Sequence, residues 1–471
     1  MSEELRLIDV QQVAPEEVAE IDLYQHREKI YTRKIEGFFQ RVRLYTGWPL
    51  LLGYFLLPWL NWDGRQAVLF DLPARKFHLL GLTLWPQDFP LLAFLLIIAA
   101  FGLFAVTVFA GRIWCGYTCP QTVWTSIFMW IEQKCEGSRN QRIKLDKAPM
   151  SAEKALRRSL KHGGWLLVGL ATGLTFVGYF YPIRQLVPEV LTFSTGPWQA
   201  SWVVFFLCAT YINAGWMREQ VCNYMCPYAR FQSVMFDKDT LIVSYDPGRG
   251  ENRGSRKRNI DYREQGLGDC IDCELCVQVC PTGIDIRDGL QYQCIGCALC
   301  IDACDSIMDK MEYPRGLIRY TSENELEGGR THWLRPRIIG YGIVLTVMVA
   351  GFLYILLSRI PVELNIIRDR GQLYTMSAGG KIDNVYTVHL ANMDEKPHTY
   401  QIAIEGLKEV EIVGNTVHEL APGEVLELSL RLRMSPEALT RPSTAIEFSA
   451  QAIDNPAYKT TAESSFMKPF R

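Results

Sequence analysis

At 471 residues the chain is long enough for about three ordinary domains, and a hydrophobic content of 48% with 12% aromatic residues leans toward a membrane. Its formal net charge of -2 carries no global basic or acidic signature, which leaves no basis for a nucleic-acid partner. All 14 cysteines lie between Cys115 and Cys304; this excludes a disulfide-stapled secreted scaffold, and thiols clustered in a reducing compartment point to metal.

The N-terminus does not read as a signal peptide. Glu3 and Glu4 stand where a basic stretch would be, and no apolar run precedes Arg27. Five uncharged runs follow, at residues 44 to 62, 89 to 110, 162 to 183, 190 to 217 and 338 to 358, each near the roughly 20 residues of a spanning helix. The first contains Pro49 and Pro58, but Trp48, Trp59 and Trp62 supply interfacial anchors. Segments 1 to 43, 111 to 161 and 218 to 337 hold 7, 10 and 16 Lys and Arg residues, against 3 in 61 to 88 and 1 in 184 to 189. Because positive residues beside spans stay cytoplasmic, the alternation predicts a cytoplasmic N-terminus and a periplasmic C-terminal part. The cysteine-rich stretch then falls on the cytoplasmic side of a bacterial inner membrane.

Directly after the second and fourth runs comes a repeat, GRIWCGYTCPQTVW (111 to 124) and REQVCNYMCPYARFQ (218 to 232). Each contains Cys-x-x-x-Cys-Pro, at Cys115, Cys119, Pro120 and at Cys222, Cys226, Pro227. Proline disfavours helical geometry in the residue before it and suits a first helical turn, so Cys119 and Cys226 are each expected at a helix N-terminus, where the helix dipole stabilises a thiolate. These four are candidate redox or soft-metal thiols; packing cysteines or a structural zinc site are the plainer alternatives. Cys135 and Cys208 are unpaired, and Cys208, flanked by apolar residues, reads as core. Of the histidines only His162 sits at a span edge, so the facing ligands of a transmembrane haem are missing. The basic run Arg249, Arg253, Arg256, Lys257 and Arg258 reads as a solvated loop.

The most specific pattern is Cys270-x-x-Cys273-x-x-Cys276-x-x-x-Cys280-Pro281 with Cys294-x-x-Cys297-x-x-Cys300-x-x-x-Cys304. In two-cluster ferredoxins three closely spaced thiolates wrap one [4Fe-4S] cluster and the fourth cysteine of each run ligates the other. That assigns Cys270, Cys273, Cys276 and Cys304 to one cluster and Cys294, Cys297, Cys300 and Cys280 to its neighbour, against the alternative of paired zinc sites. Asp305 stands where the second run would carry proline, as a charge near the cluster or as a turn residue. Beyond residue 359 the segments VYTVHL (385 to 390), YQIAI (400 to 404), VLELSLRLR (425 to 433) and AIEFSAQA (445 to 452) alternate with period two, and Pro422-Gly423 and Asn455-Pro456 punctuate them, as in an immunoglobulin-like β-sandwich.

The fold class expected is therefore membrane α-helical, with about five transmembrane helices, an inserted ferredoxin-like 2[4Fe-4S] α+β domain and a C-terminal all-β immunoglobulin-like domain. Its parts are a cytoplasmic segment (1-43), a membrane domain with four helices and both Cys-x-x-x-Cys-Pro motifs (44-237), the ferredoxin-like domain (238-337), a fifth helix (338-358) and a periplasmic sandwich (359-471).

The stretches NWDGRQAVLFDLPARKFHLLGLTLWPQDFPLL (61 to 92), WCGYTCPQTVW (114 to 124), CNYMCPYARFQSVMFD (222 to 237) and CVQVCPTGIDIRDGLQYQCIGCALCIDACDSIMDKMEYPRGLIRY (276 to 320), with the β-rich tail, resemble the cytochrome c oxidase accessory proteins of the CcoG/FixG family. In that family Asp305 is an ordinary occurrence. The resemblance implies assembly of a cbb-type haem-copper oxidase, with Cu(II) reduced to Cu(I) near Cys115, Cys119, Cys222 and Cys226. It also implies a cytoplasmic electron donor, and a copper transporter or oxidase assembly factors as partners. Two readings from other classes compete: a quinone-linked membrane electron conduit without copper chemistry, resembling the membrane ferredoxins of nitrate respiration, and a non-catalytic assembly scaffold.

Overall fold

The computed structural model describes residues 29–258, 261–369, 371–377, 380–406, 410–438 and 441–469. Most of the expected N-terminal segment, including Glu3, Glu4 and Arg27, lies outside the described residues.

The membrane part is built from α1 (Phe38–Leu56), α2 (Phe89–Ala110), α3 (Pro120–Glu136), α4 (Ala152–Gly178), α5 (Pro197–Thr210) and α6 (Pro227–Met235). Proline in the first turn starts α2, α3, α5 and α6, where its missing N–H is no loss and its fixed φ is already helical. Ser151 caps α4 by accepting from the Lys154 N–H at 3.2 Å. Three helical stretches are long and apolar enough to cross a membrane: Pro86–Ala110, Pro197–Met217 and Pro336–Leu357. These coincide with three of the five expected runs. The other two are helical but less apolar, because α1 begins six residues early and takes in Arg41 and Arg43, while α4 opens on a charged stretch from Glu153 to Lys161 and is diluted by Gly and Thr.

Those glycines have a packing role. A Cβ at Gly169 would lie 3.1 Å from the Leu207 carbonyl oxygen, and one at Gly173 2.6 Å from that of Val203. The Gly-x-x-x-Gly spacing therefore lets α4 press its backbone onto α5, the usual way of packing helices where lipid removes the hydrophobic drive. Past α5 the chain continues as π-helix through Tyr211–Met217 and again through Val221–Met225, which carries Cys222.

In the inserted domain β1 (Ile242–Tyr245) pairs antiparallel with β2 (Ile318–Thr321) and closes off α7 (Leu275–Val279) and α8 (Leu299–Met311). The basic run is solvated only at Lys257 and Arg258, which are exposed. Arg249 donates to Asp269 at 2.6 Å and to the Arg315 carbonyl at 3.0 Å. Arg256 donates to the carbonyls of Gly268 and Cys270 and lies over the rings of Tyr262 and Tyr313. These guanidinium groups fasten the 247 to 269 connection onto the domain, by hydrogen bonds and stacking that lysine could not reproduce.

After α9 (Pro336–Leu357) the chain forms two facing sheets. With β3 (Val362–Arg368), β4 (Ile382–Asn392), β5 (His398–Glu405), β6 (Glu411–Val413), β7 (Val417–Leu420), β8 (Val425–Met434), β9 (Ser443–Ala452) and β10 (Lys459–Met467), their orders are β6-β8-β4-β3 and β7-β5-β9-β10. Tyr386, Val388 and Leu390 of β4 alternate inward to meet Tyr400, Ile402, Phe448 and Phe466, the period-two core expected of a sandwich. The sandwich touches the hairpin region before α2: Arg359 clamps Asp88 at 2.8 and 2.7 Å, and the Trp85 indole N–H donates to the Met393 carbonyl at 3.1 Å.

Candidate iron-sulfur and thiol site

The two ferredoxin runs adopt one backbone form. The residues flanking the second cysteine of each run, Asp272 and Glu274 around Cys273 and Gly296 and Ala298 around Cys297, all have φ between 53° and 65°. Repeating this left-handed conformation curls each Cys-x-x-Cys-x-x-Cys loop around a hollow, at a conformational cost that non-glycine residues bear only where the surroundings hold them. One hollow is lined by Cys270, Cys273, Cys276 and Cys304, and the other by Cys280, Cys294, Cys297 and Cys300 with Cys276 at its wall. Burial pushes the Cys304 thiol up to about 12, and Cys276, Asp305, Cys270 and Cys273 act in the same direction. Burial likewise raises Cys300, next to Cys297, Cys294 and Cys280. Each fourth cysteine thus stands with the other run's triplet. Thiols this desolvated ionise on binding metal, releasing protons as they do so. Asp305 accepts from the Gly316 N–H at 3.0 Å, so it pins the turn after α8 while standing next to Cys304.

The Cys-x-x-x-Cys-Pro motifs meet from different parts of the chain. Cys119 is the N-cap of α3 and Cys226 that of α6, both with extended backbone before the proline. Cys115 neighbours Cys119 and Cys222, Cys119 neighbours Cys226, and Cys222 neighbours Cys226. The helix terminus does not acidify Cys119 as expected. Burial pushes Cys115 up to about 12 and Cys222 up to about 11, and it also raises Cys119, although the Thr122 and Gln121 N–H groups at the start of α3 oppose it. Desolvation of a thiolate outweighs the helix end here. Cys115 donates to the Gln232 side chain at 3.3 Å. Among the described residues no group of three or more His, Cys, Asp or Glu side chains converges on a point fit for a single metal ion. Cys135 is half-buried, and Cys208 is exposed on α5 instead of buried in a core.

The two thiol groups adjoin through one residue. A Cβ on Gly116 would lie 2.9 Å from both the Cys297 Cα and the Gly296 carbonyl oxygen, so the short helix Ile113–Tyr117, which carries Cys115, rests backbone-to-backbone on a ferredoxin loop. Tyr320 donates to the Gly296 carbonyl at 2.5 Å and shares a hydrogen bond with Tyr117 at 3.3 Å. Arg43 of α1 donates to the Gly116 carbonyl at 3.1 Å and to the Ser126 hydroxyl at 3.2 Å. Buried Arg112 donates to the carbonyls of Tyr292, at 2.5 Å, and Ala229.

Residues 217–323 match the model of a 4Fe-4S dicluster domain, residues 92–135 that of a 4Fe-4S binding domain, and residues 352–469 that of an IG-like fold at the C-terminus of FixG. The nitrogen fixation protein FixG of Rhizobium meliloti is 39% identical over 82% of this chain and 80% of its own length. The chain belongs to the FixG family. Protein RdxB of Cereibacter sphaeroides is 41% identical over 81% of this chain and 83% of its own. A crystal structure of a FixG-related protein from Vibrio parahaemolyticus covers 23% of this chain and 98% of its own, at 31% identity and a TM-score of 0.22.

This FixG-family chain is thus an iron-sulfur, ferredoxin-type electron-transfer protein with helices able to cross a membrane. Paired hollows lined by thiols, with matching left-handed loops, fit a cuboidal cluster better than a single ion. Motif reading did not single out Arg43, Arg112, Gly116 or Tyr320. No local signal marks an arginine on α1 as a neighbour of Cys297, some 250 residues on.

Proposed function

We propose that the protein carries single electrons from a cytoplasmic donor through two [4Fe-4S] clusters to the Cys-x-x-x-Cys-Pro face, where Cu(II), as substrate, is reduced to Cu(I) for assembly of a cbb-type haem-copper oxidase. One cluster is held by Cys270, Cys273, Cys276 and Cys304, the other by Cys280, Cys294, Cys297 and Cys300, and each supplies one-electron storage at low potential. The observation supporting the reading is the contact of Gly116 with Gly296 and Cys297, with Cys115 packed against the same ferredoxin segment. Each Cu(II) takes one electron, and soft thiols favour the Cu(I) product. Five spans, with the cluster domain in the cytoplasm and the sandwich in the periplasm, complete the proposal. The sandwich's contacts with Asp88 and Trp85, at the opposite end of α2 from Arg112, support that arrangement.

The test is the double variant Cys119→Ser, Cys226→Ser. It should keep the signals of both ferredoxin clusters and lose most Cu(II) reduction, because a hydroxyl is a harder and far less acidic ligand. Copper reduction at the wild-type rate with intact clusters would remove the thiols from the reaction and favour the quinone-linked or scaffold readings.

A further inference from the structure

The two cluster hollows differ in their balance of arginines and carboxylates. On the membrane side, Arg43 and Arg112 direct the hydrogen bonds described above to neutral oxygens: the carbonyls of Gly116, Tyr292 and Ala229 and the Ser126 hydroxyl. Arg43 reaches Cys297 through Gly116, whose added Cβ would lie 2.9 Å from the Cys297 Cα, and Arg112 backs the Cys294 to Cys297 loop, with a Cβ on Gly296 falling 3.4 Å from the Arg112 carbonyl carbon. Asp302, also on this side, accepts from the Phe39 and Gln40 N–H groups at the start of α1. Around the other hollow Arg256 donates to the Cys270 carbonyl at 3.3 Å, and Arg287 pairs with two carboxylates, Asp285 and Asp272, each at 2.6 Å. Asp305 adds a further negative charge beside Cys304.

We propose that Arg43 and Arg112 form a cationic collar that raises the reduction potential at Cys280, Cys294, Cys297 and Cys300 above that at Cys270, Cys273, Cys276 and Cys304, so that electrons collect beside Gly116. The inference rests on the reading that these eight cysteines hold two clusters. Reduction adds one negative charge to a cluster, and a nearby cation in a partly buried setting favours the reduced form while a carboxylate disfavours it. Arg43 and Arg112 also belong to the membrane part, so the bias arises only when the ferredoxin domain is seated on it. With both clusters bound, transfer of one electron toward Cys280, Cys294, Cys297 and Cys300 would be favoured, with no bond made or broken.

The test is a potentiometric titration of the purified, anaerobic full-length protein, followed by electron paramagnetic resonance. Arg43→Gln should lower one of the two midpoints enough to change its oxidised-to-reduced ratio about tenfold at fixed potential, which is about 59 mV for one electron. Arg43→Lys should restore most of that shift. Asp305→Asn should raise the other midpoint and leave the first in place. The proposal is overturned if Arg43→Gln moves neither midpoint with iron content unchanged, or if Arg43→Gln and Asp305→Asn act on the same midpoint. Arg43 carries the test because Arg112 is buried and also holds α6 in place through Ala229. Wild-type protein without iron would sink the two-cluster reading instead, an outcome separate from an unmoved potential.

Discussion

Gly116 decides how close two reactive loops can come. Replacing it with valine puts side-chain carbons where the Cys297 backbone lies, and overpacking of this kind costs about 1–3 kcal/mol. Gly116→Val should therefore lower the melting temperature of the detergent-solubilised protein by several degrees and slow Cu(II) reduction, with both cluster signals retained. An unchanged melting temperature and rate would show that the loops part without consequence. His398 offers a second residue-scale test in the sandwich. Burial alone would lower its pKa, but hydrogen bonds to Asp394 at 2.9 Å and Asp454 at 2.5 Å outweigh it and hold the pKa above the usual histidine value. A group raised on folding contributes stability fully below its unfolded pKa and loses it as pH climbs through the folded one. The sandwich should thus weaken as pH rises through and above the ordinary histidine range. His398→Gln should flatten that dependence, read as melting temperature against pH.

At the scale of elements, the α4–α5 contact is the most exposed to substitution. Gly173→Leu has no room, because its Cβ would sit 2.6 Å from a backbone oxygen that cannot rotate away. The two helices must separate, at about 1–3 kcal/mol or more, and thermal unfolding should register the loss. Helix α9 offers a contrast: no residue of it is buried, so apolar exchanges there, such as Val347→Leu, should leave the melting temperature alone. Strand and helix identities were legible in the sequence because each repeats locally: period two in the sandwich, long apolar runs in α2, α5 and α9. Helix edges were less so. The start of α1 at Phe38 depends on Asp302, whose carboxylate receives the first N–H groups from a residue far along the chain.

For the whole molecule, correctly loaded protein should contain about eight iron and about eight acid-labile sulfide per chain. Stoichiometric zinc after anaerobic purification would overturn the cluster reading. A reporter fused after Gly266 should be cytoplasmic and one after Arg471 periplasmic, as the Lys and Arg alternation requires. A cytoplasmic C-terminus would remove one span, with α1 the first candidate because its apolar stretch is interrupted by Arg41, Arg43 and Pro49.

What the sequence determined by itself is the chemistry carried by short spacing: two complete ferredoxin cysteine runs, a repeated Cys-x-x-x-Cys-Pro motif, apolar runs and an alternating tail. Each of these is a local property, because ligands that wrap one loop, a proline that opens a helix and a side-chain period all act within a few residues. Tertiary structure alone decided which thiols meet. Cys115 and Cys222 are more than a hundred positions apart, and so are the Gly116 and Cys297 loops. It also turned the arginines at 249 and 256 from an apparent solvated run into fastenings of the cluster domain, and set Arg43 and Arg112 beside one cluster hollow. Such contacts depend on packing between distant segments and on desolvation at their junction. The same desolvation raised the Cys119 thiol that its helix terminus alone would have lowered.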